Sequence, residues 1–453
     1  MHLIDIGLKA ATGIWLASSI LCHAAPPTEW TAANFLEWKS FTDIPPLVGP
    51  IAHLFNEYTG LRIQGVYRGF FYGNVAGGKS TGAAWDQEIR LTGTYDLGFL
   101  TKNLKGLTLT GGVRWREGQN PNSFVGATRS FQPSHIEGGK YFRLRPFYWT
   151  YVTPELLGVP NLLTISGGWQ NPYDIFLQQP LSKLLTNYAI YTAKGLGANI
   201  PWTSSYVAWG GYTQINPTDW TYAQAGLYMA IPGSTLTRNH GMDFRGSQNP
   251  RDPNSLFVIA ETGVTPKIGP SHQLPGKYVF GGYWYGARPD DPIGKDHRGR
   301  YGFYWQADQQ LFRVPSDPRI SQHASNRHPA SQYHLSEKGL YFFSMFTYAP
   351  SYHNTLSFYF QAGLVYQGLI PILIADQLCL AYGYGTYSHR FADLSQSPNW
   401  ARPTHQSILE IDYKIAMTKW LSFKCFYQLL MNPAADNTFK NANILGFAIN
   451  ASF

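Results

Sequence analysis

Charge in this chain keeps to alternate positions, stretch after stretch. In Leu61 to Val75, Arg62, Gln64, Arg68 and Asn74 lie on one parity, and Leu61, Ile63, Tyr67, Phe71 and Val75 on the other. Asp86, Glu88, Arg90, Thr92 and Thr94 likewise oppose Trp85, Ile89, Leu91 and Tyr95. The same holds for Thr108, Thr110, Arg114 and Arg116 against Leu107, Leu109, Val113 and Trp115, and for Arg143 and Arg145 against Phe142 and Leu144. Near the end, Glu410, Asp412 and Lys414 oppose Leu409, Ile411, Tyr413 and Ile415. A period of two belongs to β-strands whose two faces meet different surroundings. The terminal residues repeat it without charge: Leu445, Phe447, Ile449, Ala451 and Phe453 form an apolar file, with Gly446, Ala448, Asn450 and Ser452 between them. That run matches the roughly 9–11 residues a tilted strand needs to cross a bilayer.

Two all-β folds fit such a pattern. A soluble sandwich turns the charged parity to water and buries the apolar file, whereas a transmembrane barrel turns the charges into its lumen. The start of the chain separates them. Met1 to Ala25 carries Lys9, an apolar run from Ala10 to Leu21, and Cys22, Ala24 and Ala25 before Pro26-Pro27. This reads as a secretory signal peptide cleaved after Ala24 or Ala25. Leu21 before Cys22 argues against lipid attachment, and about 12 apolar residues fall short of the ~20 of a spanning helix. Charged residues are only 14% and aromatics reach 16%, with 45 glycines, a poor recipe for a soluble surface. Yet the greasiest later window, Gly368 to Leu380, is broken by Pro371 and Asp376, so a helical membrane protein is excluded. An exported, aromatic-rich chain without spanning helices fits a transmembrane barrel. Magnitude then orients the strands. One Arg on the lipid face near mid-membrane costs about 2–4 kcal/mol, so several together would rival the roughly 5–15 kcal/mol of a folded domain. The charged parity faces inward.

The expected organisation is a signal peptide over 1–25, a periplasmic segment over 26–60, and a barrel over 61–453. The middle segment includes a short helix in which Ile51, Leu54, Phe55 and Tyr58 recur after Pro45-Pro46. Besides the six strands above, strands are expected over 162–170, 204–214, 221–231, 255–265, 276–286, 301–313, 338–348, 355–367, 376–388 and 420–430. A weaker candidate, 187–200, would make an odd number, whereas bacterial single-chain barrels are even. The expectation is therefore an all-β, antiparallel transmembrane barrel of sixteen strands, a size that leaves a water-filled lumen. Short turns at Met417 to Trp420 and from Asn432-Pro433 onward contrast with long connections at Gly118 to Gly139, Pro232 to Asn254, Ala287 to Arg300 and Val314 to Glu337. The long set is expected to face outside.

Several stretches resemble the carbohydrate-selective outer-membrane porins, the OprB family. They are Leu274-Pro275-Gly276-Lys277-Tyr278 through Gly281-Gly282-Tyr283-Trp284; Tyr348-Ala349-Pro350 through Ala362-Gly363-Leu364 to Gly368-Leu369-Ile370-Pro371; and Leu409-Glu410-Ile411-Asp412-Tyr413 through Trp420-Leu421, Gln428 and Asn432-Pro433. Leu61 to Gly78 is similar to that family's first strand, and the likeness spans about Gly49 to Phe453. It departs where Ala434-Ala435 stands for a glycine pair, and where Phe55 to Gly60 lacks an acidic-aromatic-glycine motif. The resemblance implies passive diffusion of sugars through a constriction lined by charged and aromatic side chains. It also implies that Arg114 and Arg143 occupy positions of the family's inward basic residues, with Asp86 at the start of a similar second strand.

A sugar sheds hydration in a narrow pore, so the wall must return hydrogen bonds to its hydroxyls and flat faces to its C–H side. Arg supplies five donors in a fixed fork, and carboxylates supply acceptors. Trp and Tyr supply the faces. The inward set Arg62, Arg68, Asp86, Glu88, Arg90, Arg114, Arg143, Arg145 and Glu410 has this mixed character. The same charges could instead pair among themselves and merely satisfy the wall. Trp85, Trp115, Tyr95 and Tyr413 lie on the lipid parity as girdle residues. Trp169, beside Gly167-Gly168, faces out by parity unless a bulge turns it inward.

The remaining motifs are weak. Asp290, Asp291 and Asp296 read as a solvated loop rather than a calcium site, and His323, His328 and His334 lack metal spacing. Cys379 and Cys425 are too few for a disulfide scaffold. The formal charge of +8 is scattered, without a nucleic-acid tract. No catalytic motif and no cofactor motif is present. The expected partners are mono- and small oligosaccharides and outer-membrane lipid, with the chain a monomer or, by analogy of fold, a homotrimer. An energy-coupled receptor would need a plug of a hundred or more residues, and Pro26 to Gly60 offers 35. A closed structural barrel is the third class, and conductance separates it from a channel.

Overall fold

The computed structural model describes residues 55, 58–191, 198–200, 202, 206–230, 238–242, 244, 252, 255–269, 274–288, 291–293, 297–314, 338–370, 376–395, 401–418 and 420–452. The expected signal peptide, most of the short helix before the barrel, Phe453 and the three loop histidines lie outside the described residues.

The wall strands are β1 (Leu61–Gly78), β2 (Gly82–Asp96), β3 (Leu107–Gly118), β4 (Tyr141–Val152), β5 (Leu163–Gln170), β6 (Ala208–Thr218), β7 (Thr221–Met229), β8 (Leu256–Val264), β9 (Leu274–Tyr285), β10 (Arg300–Arg313), β11 (Gly339–Tyr348), β12 (Leu356–Gln367), β13 (Asp376–Tyr387), β14 (His405–Ala416), β15 (Leu421–Met431) and β16 (Lys440–Ser452). A two-residue stretch, Lys267–Ile268, pairs onto β9 in the hairpin before it and is not a wall strand. Each strand pairs antiparallel with the next, and β16 returns to β1 from Val66↔Ser452 to Gly78↔Lys440. The sheet is thus a closed barrel of sixteen strands with no free edge. The described residues of the stretch 187–200 form no strand; Tyr188–Tyr191 form a helical turn whose Tyr188, Ala189 and Ile190 are buried among lumen-facing side chains.

Parity sorts the two faces. Val75, Ile89, Leu109, Phe142, Phe303, Phe346 and Leu445 are exposed on the outer wall, while the alternate Asn74, Glu88, Arg114, Arg143 and Glu410 are buried within it. Trp169 keeps the outward side: it pairs with Trp209, and Gly241 and Phe244 of the β7–β8 connection cover it. Cys379 is buried inside, and Cys425 is exposed on the outer wall.

Two expectations about the connections need correction. Antiparallel order sends successive connections to opposite ends, whatever their length. Val314–Lys338 joins β10 to β11 at the end that also holds the tight Asp219-Trp220 and Met417–Trp420 turns, so this long connection is on the short-turn side. The Asn432 turn joins β15 to β16 at the other end, with the long connections.

The closing seam is tight at Gly446, where a Cβ would lie 2.3 Å from the carbonyl oxygen of Phe71 and 2.2 Å from the Phe426 ring. Gly446→Val is expected to cost about 1–3 kcal/mol through overpacking. The measurement is the temperature at which the compact, fast-migrating barrel converts to the unfolded band in a denaturing gel, and that temperature should fall.

Candidate functional site

The lumen is not open across its width. The β3–β4 connection (119–140) and the described residues of the β5–β6 connection (171–191, 198–200, 202 and 206–207) fold inward. Val125, Phe131 and Ile136 of the first, and Leu181, Leu185 and Ile190 of the second, join one buried cluster with wall residues Phe70, Tyr72, Tyr359, Ile408, Leu430 and Ile444. Phe176, Leu177, Ile200 and Trp202 join a second with Tyr222, Tyr228, Phe257 and Tyr304. Apolar burial therefore drives these loops against the inner wall.

Polar staples fix where they lie. Glu410 accepts the backbone N–H groups of Thr186 at 2.8 Å and Asn187 at 3.0 Å. Lys424 donates to Asp412 at 2.9 Å and to the carbonyl of Leu184, and the Thr186 hydroxyl donates to Asp412 at 3.1 Å. Farther along, the Tyr359 hydroxyl donates to the Ala189 carbonyl at 2.9 Å, and Gln361 donates to Gln179 at 2.7 Å. Leu177 N–H donates to Glu261 at 3.2 Å, and Lys277 to the Gln178 carbonyl at 2.9 Å. The second loop thus lies on the β8–β15 wall, and its free side looks toward β1–β4. The first loop is pinned by Ser134, whose hydroxyl donates to Asp86, and by Arg116, which donates to the Ile136 carbonyl at 2.6 Å. His135 Nδ1 meets the Thr186 carbonyl at 3.2 Å and ties the loops together. Burial, with Arg68 facing it, pushes this imidazole well below its ordinary pKa, so it is neutral and donates there.

What keeps contact with water on the β1–β4 side is a ring of charge. Arg68 donates to the Tyr191 hydroxyl at 2.9 Å, and the Tyr191 ring stacks on His135 with centroids 4.1 Å apart. Burial alone would raise the Tyr191 pKa, but the positive field of Arg68, Arg90 and Lys183 outweighs it and lowers the phenol to about 7. Arg90 pairs with Glu88 and keeps its side chain 25% exposed, whereas Glu88 is fully buried. Beneath them Glu88 is met by Arg116 at 2.7 Å and by Arg114 at 3.4 Å. Arg145 grips Asp174 with 2.8 Å bonds to both carboxylate oxygens. Lys183, exposed at the loop's tip, donates to Gln178.

The nine lumen residues named from parity are therefore dispersed. Arg68 and Arg90 stand part-exposed at the aperture, Arg145 is buried beside them and holds the exposed Asp174, and Arg62 is exposed near the mouth where β1 begins. Asp86, Glu88, Arg114 and Glu410 are at most 1% exposed and engaged behind the surface, as loop pins or as counter-charge, so they do not present themselves to a solute. Arg143 is also buried, its guanidinium 4.4 Å from the Tyr141 ring centroid. The parity reading missed Asp174, Lys183, Tyr191 and His135, because all four sit on loops without period. A signal was present nonetheless: Phe70, Tyr72, Ile408 and Ile444 are apolar residues on the charged parity, and such residues need a loop to cover them. Among the described residues no group of three or more His, Cys, Asp or Glu could hold a metal ion. Asp291 is engaged by Arg300 at 2.6 Å.

The model of the carbohydrate-selective porins, OprB family, matches residues 80–453. The chain belongs to that family. Porin B of Pseudomonas aeruginosa is 23% identical over 253 residues, which are 52% of each chain, so this chain spans about half the length of that curated relative. Among solved structures, the high-pH form of Pseudomonas putida OprB has a TM-score of 0.73 at 19% identity and covers 88% of this chain and 96% of its own. The low-pH form gives 0.56 at 16% identity, covering 91% and 98%. Both likenesses concern the fold. Family and fold place the chain in the bacterial outer membrane, among channels.

Proposed function

We propose that this chain is a passive diffusion channel for mono- and small oligosaccharides, with its selective aperture between the β1–β4 wall and the loop carrying Asp174, Lys183 and Tyr191. The observation that carries the reading is the set of part-exposed donors and acceptors, Arg68, Arg90, Lys183, Asp174 and Tyr191, around one gap. Guanidinium and ammonium donors with a carboxylate acceptor return the hydrogen bonds a sugar gives up, and the Tyr191 ring offers a flat face. An export signal over 1–25 fits the same location.

Proteoliposomes test this directly. Glucose-sized sugars should enter faster than zwitterionic amino acids of similar size, and equal rates would leave a general porin. Arg68→Ala with Arg90→Ala should weaken apparent sugar affinity by about 1–3 kcal/mol for each charged hydrogen bond lost.

The same ring predicts ion selectivity. Arg68, Arg90, Arg145 and Lys183 outnumber Asp174, so chloride should pass more readily than potassium. A charge ~6 Å away in water contributes about 0.7 kcal/mol. Neutralising Arg68, Arg90 and Lys183 together should therefore lower the chloride preference by roughly an order of magnitude at low salt. The reversal potential across a potassium chloride gradient reads this out.

A further inference from the structure

Below the charged ring the lumen changes character. From β2 to β6, the inward positions between the aperture and the short-turn end are Thr, Ser, Tyr, Gln, Asn, Gly and Val, with Asp96 at the end of β2 as their one charge, and Arg62 of β1 faces Thr94. Cross-strand register organises the polar ones into two rows. Thr94 faces Thr110, and Thr110 faces Tyr148; one step along β4, Thr150 faces Ser166, and Ser166 faces Tyr212. Thr94 and Thr110 share a hydrogen bond at 3.2 Å, and Thr150 donates to Ser166 at 3.1 Å, so each row is held as a unit. Three strands at about 4.8 Å spacing make each row roughly 10 Å wide. Thr94, Thr150, Tyr148 and Tyr212 keep part of their surface in water. Phe176 of the inner loop meets Tyr212 edge to face with centroids 6.5 Å apart, which holds that ring in place.

We infer that this ladder is a second subsite, selective for neutral polyhydroxylated rings and distinct from the charged aperture. A hydroxyl both donates and accepts. A rank of them therefore exchanges partners with a sugar in several orientations without holding an ion. The two tyrosines add flat faces for the C–H side of the ring. The side chains of the two rows carry no charge of their own, with Arg62 and Asp96 only at their β1 and short-turn edges, so the ladder discriminates by hydroxyl content, whereas the ring above it responds to net charge. A sugar leaving the aperture toward the periplasm then moves onto a surface that keeps it partly desolvated, and saturation of flux carries a contribution from this lower site.

The inference rests on the sugar-channel reading, and one experiment separates the two. Thr94→Val, Thr110→Val and Thr150→Val together preserve volume and branching while deleting three hydroxyls. In planar bilayers the triple variant should keep the wild-type potassium chloride conductance and reversal potential, which also report correct insertion. Its half-saturation concentration for a neutral hexose should rise about tenfold, given the modest worth of neutral hydrogen bonds. The corresponding triple Thr→Ser variant should restore the wild-type value. A valine variant with unchanged half-saturation and unchanged conductance would overturn the ladder and leave the aperture standing. Wild-type flux that never saturates would remove the sugar-channel reading, and the ladder with it.

Discussion

Glu88→Ala should largely abolish the folded, heat-modifiable form of this barrel. Glu88 is fully buried and is the shared counter-charge of Arg90, Arg114 and Arg116, two of which are themselves no more than 2% exposed. Without it, the buried guanidiniums of Arg114 and Arg116 lose their shared counter-charge where water cannot screen them, beside the part-exposed Arg90. Breaking a buried ionic pair by removing one partner costs about 3–5 kcal/mol, because the other charge remains buried and unpaired. Here one carboxylate serves two buried guanidiniums at once, and the loss takes up much of the roughly 5–15 kcal/mol that holds a domain together. The yield of compact barrel after refolding into detergent measures the effect. Glu88→Ala combined with Arg114→Met removes one of the two buried positive charges and should recover part of that yield. A fully folded single variant would mean that anions or water compensate the cluster.

Glu410→Ala should act on the pore rather than on the wall. Glu410 stands on β14, across the lumen from the charged ring, and its two oxygens accept the N–H groups of Thr186 and Asn187 at 2.8–3.0 Å. Gln428 donates to the same carboxylate at 3.2 Å. Truncation leaves two buried backbone donors unsatisfied, at about 1–3 kcal/mol each. The Lys424–Asp412 pair remains on the wall, but it holds only the preceding turn at Leu184 and Thr186. With the Tyr359–Ala189 bond as a remaining polar hold, the segment carrying Tyr188–Tyr191 should loosen from the wall and weaken the Tyr191–Arg68 contact. Single-channel conductance should rise severalfold, with more open-channel noise and loss of sugar saturation. An unchanged conductance would place the anchoring of the loop in the two apolar clusters instead. Each of the two variants discriminates a different role for a buried carboxylate that parity alone had grouped together.

The strands were legible in the sequence because the bilayer enforces parity one residue at a time. A misplaced Arg is costly wherever it sits, so Arg62 to Asn74, Asp86 to Thr94 and Glu410 to Lys414 each record which face is wet. The placement of connections was less legible. Length suggested that Val314 to Glu337 belongs with the long loops, yet the order of the strands alone decides its end of the barrel. Counting hairpins from β1 would have put it with Met417–Trp420.

The site divides along the same line. Local sequence determined the closed antiparallel wall, its outward apolar file and the inward set that includes Arg68, Arg90 and Arg145, because alternation is a property of neighbouring residues. It also marked the inward apolar residues Phe70, Tyr72, Ile408 and Ile444 without saying what covers them. Only the tertiary structure decided that 119–140 and 171–191 fill one side of the lumen. That outcome depends on the joint burial of Phe131, Leu181 and Ile190 against strands two hundred residues or more away in places, and on backbone donors reaching Glu410. It is this long-range packing that leaves Arg68 and Arg90 facing Tyr191 and Lys183, and that withdraws Asp86, Glu88, Arg114 and Glu410 from the path of a solute.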